Sequence, residues 1–207
     1  MHIADGVLSA PVLAVGAAAA AAGVGYGLWK MDYDRVPRVA VMSSAFFVAS
    51  LIHVPTGPTS VHPVLIGLIG LVLGWAAFPA LLVALLLQAI LFQHGGITTL
   101  GVNVANMALP AVISYGLFSR LVRNRNRVVA VAAAFAAGAF PIALAYLFVS
   151  VCLWTTGEEF AGVILLGLGP HLLLTVIEGA LTVSAVSFLR KVRPELLTAP
   201  RRETNHG

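Results

Sequence analysis

Charge is what this 207-residue chain has least of: 10% of its residues are Asp, Glu, Lys or Arg, against 59% that are hydrophobic. Mean hydropathy is +0.97. So little charge excludes a soluble domain of this length and points to an integral membrane protein. Cysteine is nearly absent. The single one, Cys152, lies in an apolar run, which excludes an internal disulfide and a thiolate metal cluster. The signatures of common hydrolytic and nucleotide sites are missing too: there is no His-Glu-x-x-His, no Gly-x-Ser-x-Gly and no Gly-x4-Gly-Lys-Ser/Thr. The chain is therefore expected to cleave no ATP itself and to be no enzyme. No basic stretch precedes the first apolar segment, where His2, Asp5 and Gly6 stand, so no cleavable signal peptide is expected.

What is there is apolar sequence, rich in Ala, Leu, Val and Gly and divided into many segments. That pattern implies an all-α, polytopic membrane helical bundle, not a barrel of alternating strands. One integral membrane domain over residues 1–207 accounts for it, with 193–207 as a basic cytoplasmic tail frayed from Arg190 onward. The expected spans are 7–29, 39–53, 63–74, 80–93, 104–119, 128–153 and 171–189. Pro37 ends the first polar loop, and Pro55, Gly57 and Pro58 make 54–62 a second. Pro63 suits a helix start. A single helix over 63–93 would be about 46 Å long, too long for a ~30 Å hydrocarbon core, so a tight turn is expected at Trp75–Pro79. Residues 94–103 are Gly-rich and polar and read as a loop. Pro141 is a kink candidate, and Gly169-Pro170 is expected to break 160–189, leaving 160–168 as a short packed piece.

The basic residues are sorted. All 12 Lys and Arg fall in 30–38, 120–127 and 190–202, which seven spans place on one side. The positive-inside rule makes that side cytoplasmic, so the N-terminus is expected outside and the C-terminus inside. The net charge of +4 comes from these membrane-flanking residues and says nothing of nucleic acid; the surrounding partner is a lipid bilayer.

The outer face then collects Met1, His2, Asp5, His53, His62 and His94, with no Lys or Arg to repel a cation. A chain beginning Met-His is expected to keep its initiator methionine, because a bulky second residue hinders removal. The Met1 amine, the ionised His2 amide and the His2 imidazole can close two fused chelate rings in one plane. One further nitrogen would complete a flat site suited to Ni(II), Cu(II) or low-spin Co(II), and His62, in the constrained loop before Pro63, is the candidate. His53 and His94 admit two readings, metal contact or plain loop polarity, and both stay open. His206 is expected to be incidental. His171 and Glu178 share one helix face, two turns apart. An intramembrane carboxylate is a functional candidate, but hydrogen bonding between helices, beside the small Gly179, is the preferred reading here.

The opening Met1-His-Ile-Ala-Asp-Gly6, the loop Pro58-Thr-Ser-Val-His62 and the stretch His94-Gly-Gly-Ile-Thr-Thr-Leu-Gly-Val-Asn103 resemble the CbiM/NikM family. So does the end of the chain, from His171 through Glu178-Gly179 to Arg193-Pro-Glu-Leu196. The likeness covers essentially the whole chain. These are the substrate-binding membrane subunits of energy-coupling factor (ECF) ABC transporters for cobalt and nickel, which serve cobalamin biosynthesis or nickel enzymes. The resemblance implies that Met1, His2 and His62 hold Co(II) or Ni(II) as transported substrate, with no enzymatic cofactor. It implies a transmembrane coupling protein, cytoplasmic ABC ATPases and often a small auxiliary membrane subunit, in a bacterial or archaeal cell membrane. Pro63 departs from the apolar residue expected after the histidine, which bears on how the chain enters the helix more than on ligation. Cobalt and nickel are not separable on these residues; overall likeness favours cobalt. The alternatives are a stand-alone proton-coupled secondary metal transporter using Glu178 and His171, and an intramembrane metalloenzyme. Cotransport would need no ATPase and would depend on Glu178, and no second carboxylate relay is present.

Overall fold

A computed structural model describes residues 2–52, 54–55 and 60–197. It is helical apart from one two-residue ladder. Seven α-helices occur among the described residues: α1 (Ala10–Trp29), α2 (Val36–Ala49), α3 (Ile66–Leu73), α4 (Ala77–Phe92), α5 (Leu100–Phe118), α6 (Arg127–Trp154) and α7 (Ala161–Val192). Between α2 and α3 the strands β1 (Val54–Pro55) and β2 (Ser60–Val61) pair antiparallel, Val54 opposite Val61. Five stretches are long and apolar enough to cross a membrane: 10–29, 66–92, 100–118, 127–154 and 158–192. The second of these combines α3, a 3-10 turn at Gly74–Ala76, and α4.

That turn falls where Trp75–Pro79 predicts it. Gly74 takes φ +57°, a conformation open to glycine at little cost, and the chain reverses. Trp75 meets Tyr26 edge-on at 4.6 Å near the C-terminal end of α1, whereas Gln88, far along α4, meets His2. Before α3 stands His62, whose ring lies beside His2. The eight-residue α3, only about 12 Å long, therefore runs away from the His2 end, and α4 returns to it. Close packing makes this possible. A Cβ on Gly67 would collide with the Ala137 carbonyl of α6, and one on Gly70 with the Ala111 carbonyl of α5. Ile66, Ile69, Phe78, Leu81 and Met107 fill the core between these helices, each fully buried.

Several expected boundaries shift, each for a physical reason. Pro37 does not precede α2 but sits in its first turn, where its missing N–H costs nothing. Pro63 does not open α3, which begins at Ile66 after Leu65, where φ is +53°. The fifth helix starts at Leu100, not 104, because Asp5 reaches over to bind the N–H groups ahead of it. The expected break at Gly169-Pro170 does not occur, and 160–168 is no separate piece: α7 is continuous through Pro170. Its length of about 48 Å exceeds the ~30 Å hydrocarbon core, an excess that tilt or projection accommodates. In membrane helices a proline persists where other donors serve the backbone; Pro170 frees the Leu166 carbonyl, one residue before the Gly167 carbonyl to which His171 Nδ1 donates at 2.7 Å. The same logic holds in α6. Pro141 cannot donate to the carbonyl of Ala137, and the Ser114 hydroxyl of α5 does so instead at 2.9 Å. The chain does not fray at Arg190 either: α7 reaches Val192, a 3-10 turn follows at Pro194–Leu197, and Leu197 is buried beside Val122.

The polar ends separate. Arg190 donates to the Asn124 carbonyl at 2.8 Å, joining the end of α7 to the basic α5–α6 loop. His2, Asp5, His62 and His94 gather at the opposite end.

Candidate metal site

Residues 2–9 carry no helix of their own and are held by α5 and the loop before it. The Ile3 N–H donates to Asn103 Oδ1 at 3.0 Å; the Ile3 carbonyl accepts from Asn103 Nδ2 at 3.0 Å and from the Thr99 hydroxyl at 2.7 Å. One asparagine thus matches both backbone groups of the residue after His2. The Asp5 carboxylate accepts from the N–H groups of Ile97 (3.1 Å), Thr98 (3.0 Å) and Thr99 (3.3 Å) and from the Thr98 hydroxyl (2.5 Å). These amides head α5, where unpaired N–H groups and the helix dipole favour an anion. A Cβ on Gly96 would collide with this carboxylate. Below, the Ile3 side chain packs with Leu8, Val102 and Leu153.

This clamp delivers the His2 ring to a half-buried spot. Its Nε2 lies 2.8 Å from Gln88 Oε1. The His62 ring stacks on it at 5.3 Å between centroids and 30° between planes, and His94 stands 6.3 Å away. His62 Nδ1 donates to the Pro63 carbonyl at 3.1 Å. His94 is brought in by a left-handed Gln93 (φ +55°) that ends α4. Burial above all, then repulsion from the charge at the chain start and from His62 when that ring is protonated, holds the His2 imidazolium well below its usual pKa. The ring is therefore neutral near pH 7, as a metal ligand must be. A cavity of ≈ 300 Å³ borders it, lined also by Val7, Tyr146, Phe160 and His171.

Of the expected ligands, His2 and His62 are brought together. Met1 lies outside the described residues, as do His53 and His206. Among the described residues no group of three or more His, Cys, Asp or Glu side chains is arranged to hold a metal. The expected donor set includes only two side chains, the rest being backbone nitrogens.

Glu178 takes the structural role preferred for it. Fully buried on α7, it accepts from the N–H of Val64 (2.5 Å) and of Leu65 (3.0 Å), at the start of α3. It thereby fixes the chain two residues beyond His62. His171 makes other contacts: its ring stacks on Tyr146 at 4.2 Å. The residues that sequence reasoning missed are Gln88 and Asn103, fully and almost fully buried. The available signal was the cost of an amide side chain inside an apolar helix, which requires a partner.

The Asp5 clamp should depend on pH. The Thr98 hydroxyl first, then the three amides, pull the Asp5 pKa below its ordinary value, outweighing the opposing effect of desolvation. A depressed carboxylate contributes fully above its unfolded pKa, and the contribution is lost as pH falls through the lower folded value. Asp5→Asn should speed hydrogen exchange at Ile97, Thr98 and Thr99 several-fold at pH 7. The difference from wild type should vanish in acid; an equal difference at both would show that the charge is not what holds the segment.

The chain has relatives among metal transport proteins. The sequence profile described as "Cobalt uptake substrate-specific transmembrane region" matches residues 2–196. A putative metal transport protein of Haemophilus influenzae is 40% identical over 199 residues, 95% of this chain and 97% of that one. Cobalt transport protein CbiM of Sorangium cellulosum is 33% identical, covering 95% of this chain and 94% of its own. A putative fused nickel transport protein NikMN of Archaeoglobus fulgidus is 33% identical over 95% of this chain and 68% of that one. These relatives are named as transport proteins. The fold is shared with a crystal structure of a transition metal transporter, at a TM-score of 0.68 and 24% identity over 93% of each chain. A truncated form matches with a TM-score of 0.67, 23% identity, and 92% and 99% coverage. With a family profile and full-length relatives both matched, this multi-pass membrane protein belongs to the CbiM family.

Proposed function

We propose that this chain is the metal-binding membrane subunit of an ECF-type ABC importer for divalent cobalt or nickel. The observation that carries this reading is the stacking of His2 on His62, with the residue after His2 held by Asn103 and the residues after His62 held by Glu178. The Met1 amine, the His2 amide nitrogen and the His2 and His62 rings would form the flat four-nitrogen set. Metal binding must ionise the His2 amide, so capture weakens as pH falls. The names of the relatives, cobalt for some and nickel for others, support both metals and separate neither.

In this reading one integral membrane domain crosses the bacterial or archaeal cell membrane seven times. The histidine end faces outward, and the arginine-rich end, with the C-terminus, faces the cytoplasm. The metal is captured outside, the loops close over it, and ATP hydrolysis in partner subunits drives release. Those partners are a transmembrane coupling protein, cytoplasmic ABC ATPases and a small auxiliary membrane subunit. A proton-coupled carrier through Glu178 and His171 is less well supported, because the Glu178 carboxylate is engaged by two backbone amides.

The partner's grip belongs on α1. Its inward face, Gly16, Ala20, Gly23 and Gly27, is buried against this chain's own helices. Ala14, Ala18 and Ala22, spaced for close helix approach, lie exposed. Ala18→Trp should leave Co(II) and Ni(II) binding by the purified subunit unchanged. It should abolish co-purification with the coupling protein and ATP-driven uptake. Wild-type uptake in the variant would remove this face from the assembly, and uptake in cells lacking any ABC ATPase would overturn the importer reading itself.

A further inference from the structure

Gln88 is an amide side chain with no exposed surface, near the end of an apolar helix. Burial there is costly unless the amide does something. Its Nε2 has no partner among the described residues, so its one polar contact is the 2.8 Å approach of Oε1 to His2 Nε2. A carboxamide oxygen can only accept. The proton of the neutral His2 ring therefore sits on Nε2, and Nδ1 keeps the lone pair.

The choice of nitrogen matters. A metal held by the His2 amide nitrogen closes a six-membered ring through Cα, Cβ, Cγ and Nδ1; Nε2 lies on the far side of the imidazole and cannot close it. His62 is set the opposite way. Its Nδ1 donates to the Pro63 carbonyl at 3.1 Å, which leaves the lone pair on Nε2. Two stacked rings, 5.3 Å apart, thus hold opposite tautomers before any metal arrives.

We propose that Gln88 is a positioning residue that locks His2 in the Nε2–H tautomer and so presents Nδ1 to the incoming metal. The proposal rests on the four-nitrogen reading above. Outer partners of this kind fix the tautomer and orientation of a ligating histidine and raise its basicity, and their loss typically costs about 10–100-fold in affinity. A rotated Gln88 amide would present its NH₂ group and impose the wrong tautomer. A carboxylate at this position has no donor end and preserves the right one.

The test uses the full chain with its native N-terminus in detergent micelles. Long-range ¹H–¹⁵N spectra of ¹⁵N-histidine protein without metal report the His2 tautomer directly, and Ni(II) titration reports affinity. Wild type should show Nε2–H. Gln88→Met, close in shape but without the acceptor, should populate Nδ1–H and weaken Ni(II) binding about 10–100-fold. Gln88→Glu should restore both tautomer and affinity. Retention of the wild-type tautomer or affinity in Gln88→Met would overturn the proposal. So would a folded Gln88→Glu protein that shows Nδ1–H or binds Ni(II) more than tenfold more weakly than wild type, and this variant alone decides the matter if the Met variant does not fold. His2→Ala separates this proposal from the site it rests on: wild-type Ni(II) affinity there would mean that His2 is no ligand, whatever its tautomer.

Discussion

An uncleaved N-terminal tag of several residues should lower Co(II) and Ni(II) affinity by orders of magnitude while leaving the helical bundle folded. The reason is covalent. The Met1 amine closes a five-membered ring with the His2 amide nitrogen only when nothing precedes Met1. A tag replaces a basic amine with an amide and also crowds the half-buried site into which the His2 ring is directed. The tag should be long or acetylated. A single added residue would make the histidine third in the chain, and the amine, two amides and ring of such a peptide form a competing four-nitrogen set. Equilibrium titration of tagged protein, and of the same protein after the tag has been removed flush with Met1, reads the effect within one preparation. Tight binding by the tagged form would remove the terminal amine from the site.

His62→Ala should be nearly as severe. It deletes a ligand, so the loss should exceed the roughly 10–100-fold typical of an outer-shell partner. The rest of the site should survive, because Asn103 and Asp5 hold the N-terminal segment without help from His62. His53→Ala and His206→Ala should bind nearly as wild type. If His62→Ala retains its affinity, the fourth nitrogen comes from elsewhere, and His94, 6.3 Å from the His2 ring, is the first place to look.

Much of this was legible in the sequence, and what was not has a common cause. Hydropathy marks the apolar helices, and Trp75–Pro79 marks the reversal between α3 and α4, because these signals are local. The pairing of His2 with His62 followed from chelate chemistry and from placing both ends on one face. Helix limits were misread wherever a distant side chain intervened. Leu100 begins α5 because Asp5 caps it, and Pro63 fails to begin α3 because Glu178 binds the amides of Val64 and Leu65. Pro170 signals a stop in a soluble helix, whereas a membrane helix carries it, and α7 continues through it. Gln88 and Asn103 went unread because their partners lie 86 and 100 residues away in sequence. Both were nonetheless polar residues in helices where polarity needs a reason. The rule that singles out Glu178 also singles out these two amides.

The central claim concerns the first coordination shell, and X-ray absorption on the Ni(II)-loaded chain with its native N-terminus tests it most directly. The account predicts four nitrogen neighbours in a plane, no sulfur, and the multiple-scattering signature of two imidazoles, one from His2 and one from His62. A six-coordinate shell of oxygen and nitrogen, or any sulfur neighbour from Met1 or Cys152, would contradict it.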